Sequence, residues 1–155
     1  VSFSPVSFYP FVISHVDGQV KKANSRLYFV RIMKKLNVKS DIISGFYNSS
    51  IASVMGYAIT CFYGMLSKYL KHDMDQPRRV CGKLICNKED LSDLTNVYKQ
   101  RVISMAQKII KDHKHPLNKE FKYLPSGKRL NVPFTRTNRY RDTFVPRAIS
   151  LLNTR

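Results

Sequence analysis

The chain has 155 residues and a hydrophobic content of 43%, which is enough for one folded domain and excludes a wholly disordered protein. Its 27 Lys and Arg residues against 10 Asp and Glu residues give a formal net charge of +17. Because such a charge repels itself in a compact state, a polyanionic partner is expected: nucleic acid in the first place and an anionic membrane surface in the second.

The sequence has three cysteines, Cys61, Cys81 and Cys86. This number is small and odd, so no disulfide framework is expected. A reducing, intracellular location in the nucleus or the cytoplasm is therefore expected. The opening VSFSPVSFYPF has no basic segment ahead of its apolar residues, so it is not typical of a secretory signal. We interpret the sequence as a piece of a longer chain.

The first predicted elements are an irregular lead-in over residues 1–14, rich in Ser, Pro and aromatics, and a helix that Asp17 caps. Apolar residues recur at spacings of three and four through DGQVKKANSRLYFVRIMKKLNV, which indicates an amphipathic helix. No acid occurs between Gly18 and Ser40. The predicted phosphate-binding residues of this helix are Lys21, Lys22, Arg26, Arg31, Lys34 and Lys35.

Ser40 and Asp41 begin a second helical pattern that carries no charged residue between Ile42 and Leu66. This stretch is long enough to cross a membrane, but its Asn, Ser and Gly residues make it only moderately apolar. A buried core helix is the preferred interpretation, and a membrane partner is not expected.

A third region, residues 67–86, is helical at both ends, and Pro77 is expected to break it and to open the next helix. A fourth helical pattern runs from about Asp90 to Lys111 and stops before Pro116. Residues 117–146 predict loop or extended chain, and a short helix from Pro146 to Asn153 closes the sequence.

These elements predict an all-α fold, a bundle of about four helices with a basic, mostly irregular C-terminal arm that ends in a short helix. The predicted division is a lead-in over residues 1–14, a helical domain over residues 15–115, and the arm with its terminal helix over residues 116–155.

Three sets of residues resemble metal sites: His15 and Asp17 with His113 or His115; Cys81 and Cys86 with the same histidines; and Asp73 with Asp75. A cap role explains Asp17, and two cysteines five apart on a helix point to different faces. Ion pairs with neighbouring basic residues explain the two aspartates. No metal, cofactor or catalytic residue is therefore predicted.

The C-terminal arm interleaves cations with aromatic residues. Aromatic rings can stack on unpaired bases while guanidinium groups bind phosphate oxygens. The predicted nucleic-acid-binding residues of the arm are Lys128, Arg129, Arg136, Arg139, Tyr140 and Arg141. A solvated surface remains the alternative for each basic run, and both runs together favour an RNA or DNA partner, duplex or single strand, over a small-molecule substrate.

The stretches HVDGQVKKANSRLYFVRIMKKLNV, DIISGFYNSSIASVMGYAITCFYGMLS and RTNRYRDTFVPRAISLLN resemble, in this order, the C-terminal end of reverse transcriptases from LINE-type non-LTR retrotransposons. The resemblance extends from about Ile13 to Asn153. It implies a helical thumb-like domain that holds a template-primer duplex through its backbone, with the cations of the first helix as the contacts.

The aromatic-x-Asp-Asp motif of such polymerases is missing from the sequence. The resemblance therefore implies a non-catalytic fragment that binds nucleic acid without sequence specificity. The alternative is a helical module that interacts with a protein or a membrane surface and has no nucleic-acid role.

The stretch KKANSRLYFVRIMKKL is also similar to a segment from the N-terminus of an AlkB-type alkylation-repair homologue. Dioxygenase or methyltransferase activity would require an iron triad or a Rossmann unit, and the sequence predicts neither. We expect no enzymatic activity from this second similarity, and we prefer the first.

Overall fold

The computed structural model describes residues 5–85 and 93–154, with side chains from Pro10 onward. These residues form two compact units. Unit 1 contains the described residues up to Tyr57 and those from Leu66 to Leu94. Unit 2 contains Ala58–Met65 and the described residues from Thr95 onward.

The described residues are helical throughout both units, apart from turns and one extended arm. The α-helices are α1 (Pro5–Lys35), α2 (Ser40–Phe46), α3 (Ser53–Met55), α4 (Ile59–Phe62), α5 (Lys68–Leu84), α6 (Leu94–Lys111), α7 (Asn138–Arg141) and α8 (Phe144–Asn153). A π-helical turn, Tyr47–Ala52, joins α2 to α3, and 3₁₀ turns occupy Tyr63–Met65 and Asn118–Glu120. The predicted all-α fold is confirmed, with more helices than the four expected.

Helix α1 begins at Pro5, so residues 5–14 are helical rather than the irregular lead-in expected from the sequence. Val12 and Val16 extend the buried stripe of the helix toward its start, because they follow the same spacing as the buried residues after them. Asp17 consequently lies exposed in mid-helix and does not cap it. The stripe packs against α5 and against the chain from α2 to α3. Its members are Val12, Val16, Gln19, Ala23, Leu27 and Val30.

The second predicted helix is interrupted twice. In a regular α-helix, each residue lies about 40° further around the axis than the residue four positions before it. A series of residues spaced four apart would therefore turn away from the core. The π turn over Tyr47–Ala52 takes up this rotation. Ile43, Tyr47, Ile51 and Met55 are all buried as a result. The helix then ends, and Ala58 adopts the left-handed conformation with φ of 51°.

The break expected at Pro77 does not occur, because α5 runs without interruption from Lys68 to Leu84. Pro77 is buried on the same face as Met74 and Cys81, and this packing offsets the backbone hydrogen bond that a proline removes. Farther along α5, Arg79 Nη2 donates to the carbonyl of His72, two turns earlier, at 3.1 Å. No helix within residues 5–85 and 93–154 is both long enough and apolar enough to cross a membrane.

In unit 2, α6 supplies the buried residues Tyr98, Val102, Ala106 and Ile109. Its described part begins at Leu94, and the start predicted near Asp90 lies outside the described residues. Helix α8 begins two residues before the predicted Pro146, and it packs against α4. The predicted terminal helix is confirmed.

The arm between α6 and α8 is mostly irregular, as expected. Its one β contact among the described residues is an antiparallel bridge between Tyr123 and Leu130. The side chain of Asn153 fixes this strand-like segment, because it accepts from Leu130 N and donates to Leu130 O, both at 2.9 Å. The division of the chain at residues 14 and 115 stays a prediction.

Candidate nucleic-acid interface

The six basic residues predicted on the first helix all lie on α1, but they do not share one face. Lys22 and Arg26 are one turn apart and project from the same side. Arg31 lies about 180° around the helix from Lys22. Lys34 and Lys35 follow in the last turn, and both are exposed. The structure therefore brings Lys22 and Arg26 together and separates them from Arg31.

Lys22 and Arg26 line a cleft of about 720 Å³ within unit 1. One wall of the cleft is α1, and the other is formed by α3 and the turn that follows it. The lining residues are Ser14, His15, Gly18, Gln19, Lys22, Ser25, Arg26, Ser53, Val54 and Tyr57. None of these residues is an acid, so the cleft presents positive charge and neutral polar groups. We call this site the unit 1 cleft.

Arg26 is held in place by the π turn Tyr47–Ala52, which precedes α3. Its Nη1 donates a hydrogen bond to the backbone carbonyl of Ser50, which lies in the π turn. A guanidinium carries five N–H donors in a planar fork, so further donors remain for a ligand in the cleft. Lys22 is exposed, and its ammonium is a mobile point charge beside this fixed fork.

Two aromatic side chains, His15 and Tyr57, line the unit 1 cleft, and Phe11 lies next to His15. The centroids of the His15 and Tyr57 rings are 6.2 Å apart, and those of Phe11 and His15 are 6.5 Å apart with planes 15° from parallel. Phe11 and Tyr57 are each 68% exposed. Sequence reasoning missed both residues, because Tyr57 belongs to a stretch that was expected to be a buried helix.

Gln19 is a buried polar residue of unit 1, with only 5% of its surface exposed. Its Nε2 donates to the backbone carbonyl of Tyr57 at 3.1 Å. Its Oε1 is buried and has no hydrogen-bond partner among the described residues. Nothing in the sequence signals this side chain, since Gln is an ordinary surface residue on a helix.

Lys21 lies outside the unit 1 cleft. It lines a separate depression on α1 with Asp17, which is one turn earlier on the helix. The proximity of an acid lowers the positive potential there. The nucleic-acid role predicted for Lys21, and equally for Arg31, Lys34 and Lys35, stays a prediction.

In unit 2, Lys128 and Arg129 are exposed beside a tight turn. Gly127 has φ of 66° at this turn, a conformation that glycine adopts at low cost. Lys128 also lines a depression of about 380 Å³ with Tyr123 and Lys111. Sequence reasoning missed the latter two, because Lys111 belongs to α6 and only the fold brings it near the arm.

The remaining predicted residues of the arm lie on or near α7. Thr137 caps this helix, since its side chain accepts from Tyr140 N at 3.2 Å. Arg136, Arg139, Tyr140 and Arg141 are all exposed. Arg141 is 3.9 Å from the carboxylate of Asp142, an ion pair that solvent screens. Their nucleic-acid role stays a prediction.

No group of three or more His, Cys, Asp or Glu side chains that could hold a metal ion occurs within residues 10–85 and 93–154. Asp75 is bound by Arg78 at 2.6 and 2.7 Å, which is the ion pairing expected from the sequence. Burial raises the pKa of the Cys81 thiol to about 11, so Cys81 is a protonated core residue at neutral pH. Cys86, the other cysteine of the zinc set that the sequence does not support, lies outside the described residues.

The comparison with known families corrects the main interpretation of the sequence. Residues 14–53 match the model of the N-terminal region of alkylated DNA repair protein alkB homolog 8. This match overturns the assignment to a LINE-type reverse transcriptase, the thumb-like role and the function as a fragment of that polymerase. The resemblance to the polymerase rested on separate stretches of sequence between Ile13 and Asn153, and the family match covers only the first of them and part of the second.

The second similarity, over KKANSRLYFVRIMKKL, is confirmed, because this stretch falls inside the matched residues. The match covers 40 of the 155 residues, counted from 14 to 53. No curated protein and no solved structure matches the chain. The chain is therefore similar over about a quarter of its length to the N-terminal region of an alkylated DNA repair protein.

Proposed function

We propose that the chain is a nucleic-acid-binding protein and that the unit 1 cleft is its contact site. The observation that carries the proposal is the combination of Lys22 and Arg26 on one wall, no acid in the lining, and the exposed Tyr57 in the same lining. Cations, hydrogen-bond donors and an accessible aromatic ring are the groups that proteins use to hold unpaired nucleotides.

The cations of the cleft supply the phosphate contacts. Arg26 suits a phosphate oxygen because the Ser50 carbonyl already orients its guanidinium, so less side-chain entropy is lost on binding. Lys22 adds a second charge one turn away. Each neutralised phosphate releases counterions, so binding should weaken as salt is added.

The aromatic rings favour an unpaired nucleotide over an intact duplex. In a duplex the faces of the bases are covered by their neighbours, whereas a single strand or a gap offers a base that can stack on Tyr57. Stacking on one ring contributes roughly 1–3 kcal/mol per base and tolerates any base. The His15 ring is tilted by 48° from the Tyr57 ring and stacks on Phe11 instead, so the proposed stacking surface is the Tyr57 ring.

The family comparison supports the proposal. Eight of the ten residues that line the cleft, all but Val54 and Tyr57, lie within the matched residues 14–53. The protein after which that family is named is described as an alkylated DNA repair protein. For this chain we propose binding without catalysis, in the nucleus or the cytoplasm.

Fluorescence anisotropy with a labelled single-stranded oligonucleotide tests the proposal. The double variant Lys22→Gln/Arg26→Gln should bind at least about tenfold more weakly, and the slope of log affinity against log salt should fall by about 1 to 2. The matched control Lys108→Gln/Lys114→Gln removes the same charge from exposed positions of unit 2. Equal losses in both variants, or wild-type affinity that does not change with salt, would contradict the proposal.

A further inference from the structure

We infer that the unit 1 cleft selects a nucleotide that offers an N–H or O–H donor to Gln19 Oε1. The inference rests on the proposed function and names the chemical group that the cleft recognises beyond phosphate and ring stacking. The inference depends on the orientation of the buried side-chain amide of Gln19.

The orientation of the Gln19 amide follows from its partner. The backbone carbonyl of Tyr57 can only accept a hydrogen bond, so the amide group 3.1 Å away must present its nitrogen there. The oxygen is thereby fixed on the other branch of the amide. Gln19 cannot swing into solvent to satisfy this oxygen, because its side chain is buried between α1 and the turn that holds Tyr57.

The Gln19 amide oxygen is therefore a hydrogen-bond acceptor whose capacity is unused. A buried carbonyl without a partner is uncommon and destabilises the folded state. Gln19 lines the cleft, and none of the described residues donates to its Oε1. A phosphate cannot meet this need, since its oxygens also accept. The missing partner is a donor that enters the cleft with a ligand.

The positions of the other lining groups specify the ligand. Lys22 lies three residues after Gln19 on the next turn of α1, so a phosphate can rest on the cations while the attached nucleoside reaches the amide. Tyr57 lines the same cleft: its backbone carbonyl accepts from the Gln19 amide, and the residue is 68% exposed. Stacking on Tyr57 would thus bring a base or its sugar toward Gln19 Oε1. Two groups of a nucleotide can donate there: an exocyclic amine of the base and the 2′-hydroxyl of ribose.

The test compares four oligonucleotides on the full chain: DNA and RNA, each with a central adenine or with a central purine whose exocyclic amine is replaced by hydrogen. If the base amine is the donor, adenine should bind about tenfold more tightly than purine in both backbones. If the ribose hydroxyl is the donor, RNA should bind more tightly than DNA by about the same factor with either base. Equal affinity of all four would overturn the inference and leave the proposed function standing.

The variant Gln19→Met assigns the difference to this side chain, because it roughly keeps the volume and removes the amide, both the Oε1 acceptor and the Nε2 donor to Tyr57. The preference should disappear in Gln19→Met, while the salt dependence set by Lys22 and Arg26 should persist. A preference that survives in the variant would also overturn the inference.

A second measurement avoids any change to the core. In the wild-type chain, the side-chain amide resonance of Gln19 should move on addition of the preferred oligonucleotide and stay in place with the matched one that lacks the donor. If none of the four oligonucleotides binds, the proposed function itself fails.

Discussion

Gly64 lies directly against the backbone of Asp142, so that a Cβ atom on Gly64 would overlap the carbonyl oxygen of Asp142 and come within 2.7 Å of Tyr98 Oη. Backbone atoms cannot move aside as a flexible side chain would. Gly64→Ala should therefore destabilise the protein by about 1–3 kcal/mol. Urea denaturation followed by circular dichroism measures this free energy of unfolding.

Gly45→Ala is the control for Gly64→Ala. Gly45 lies in α2, and nothing lies within 4 Å of the position that a Cβ atom would take there. Because alanine is the better helix former, Gly45→Ala should stabilise the protein by about 0.5–1 kcal/mol. Equal changes in the free energy of unfolding for the two substitutions would contradict the close contact between Gly64 and Asp142.

Asp75 holds two arginines on α5, and removal of its charge should be costly. Its carboxylate accepts twice from Arg78, and it lies 3.4 Å from Arg79 Nε. The hydrogen bond to Asp75 raises the pKa of Arg78, and the side chains of Asp75 and Arg78 are only 16% and 22% exposed. Asp75→Asn should lower the free energy of unfolding by about 1–3 kcal/mol. Asp17→Asn, at an exposed position of α1, should change it by less than about 0.5 kcal/mol.

Stability should fall as the pH rises above about 9. Burial raises the pKa of Cys81 from 9.0 to about 11 and that of Tyr47 from 10.0 to about 12. Between the unfolded and the folded pKa of each group, the unfolded chain has lost a proton that the folded chain still holds. This ionisation stabilises the unfolded state and so lowers the free energy of unfolding. The stabilisation is complete below pH 9 and is lost progressively toward pH 12. Thermal melts from pH 8 upward measure the slope.

The variants Tyr47→Phe and Cys81→Ser separate the two contributions, since each should flatten the pH dependence over its own range. A matching experiment uses a thiol reagent at pH 8 with mass spectrometry. Cys61 is exposed and should react in the folded protein, whereas Cys81 should react only on unfolding. Modification of both at equal rates would contradict the buried position of Cys81.

Tyr57 should matter for nucleic-acid affinity through its ring. Tyr57→Leu removes the stacking surface but keeps the backbone carbonyl that Gln19 binds. Affinity for single-stranded DNA should fall at least about fivefold. Tyr69→Leu is the matched control, because Tyr69 is 73% exposed on α5 and does not line the unit 1 cleft. A similar loss in both variants would count against stacking in the cleft.

Ala58 adopts a left-handed backbone conformation that costs a residue with a Cβ atom roughly 1–2 kcal/mol. Ala58→Gly should therefore raise the free energy of unfolding by about 0.5–1 kcal/mol. Ala148→Gly, in the regular helix α8, should have the opposite sign. Chemical denaturation of the two variants side by side gives the comparison.

Helical periodicity was sufficient to predict the fold class and the terminal helix, because burial every three to four residues is visible in the sequence. Prediction from periodicity failed where the packing of buried side chains outweighs the local preference of a residue such as proline or aspartate. Pro77 remains inside α5 because its ring packs beside Met74 and Cys81. Asp17 is not a cap because Val12 and Val16 continue the buried stripe before it.

The candidate site was predicted in part. Lys22 and Arg26 could be named from the charge pattern of α1, although the sequence could not distinguish them from Arg31 on the opposite side. Tyr57 and Gln19 could not be found in this way. Their roles depend on a contact between α1 and a turn that lies far along the chain, and neither residue type is unusual where it occurs.

The two units share the chain in an interleaved order. Ala58–Met65 belongs to unit 2, although unit 1 lies on both sides of it in the sequence. A polypeptide shortened to end at Leu94 would keep the residues of the unit 1 cleft but would lose α8, which packs against α4 with its buried Ile59 and Phe62. One that started at Thr95 would lack α4, against which α8 packs. Cleavage of the chain at one position therefore does not yield two intact units. Each of these two deletions exposes apolar surface in the part that remains.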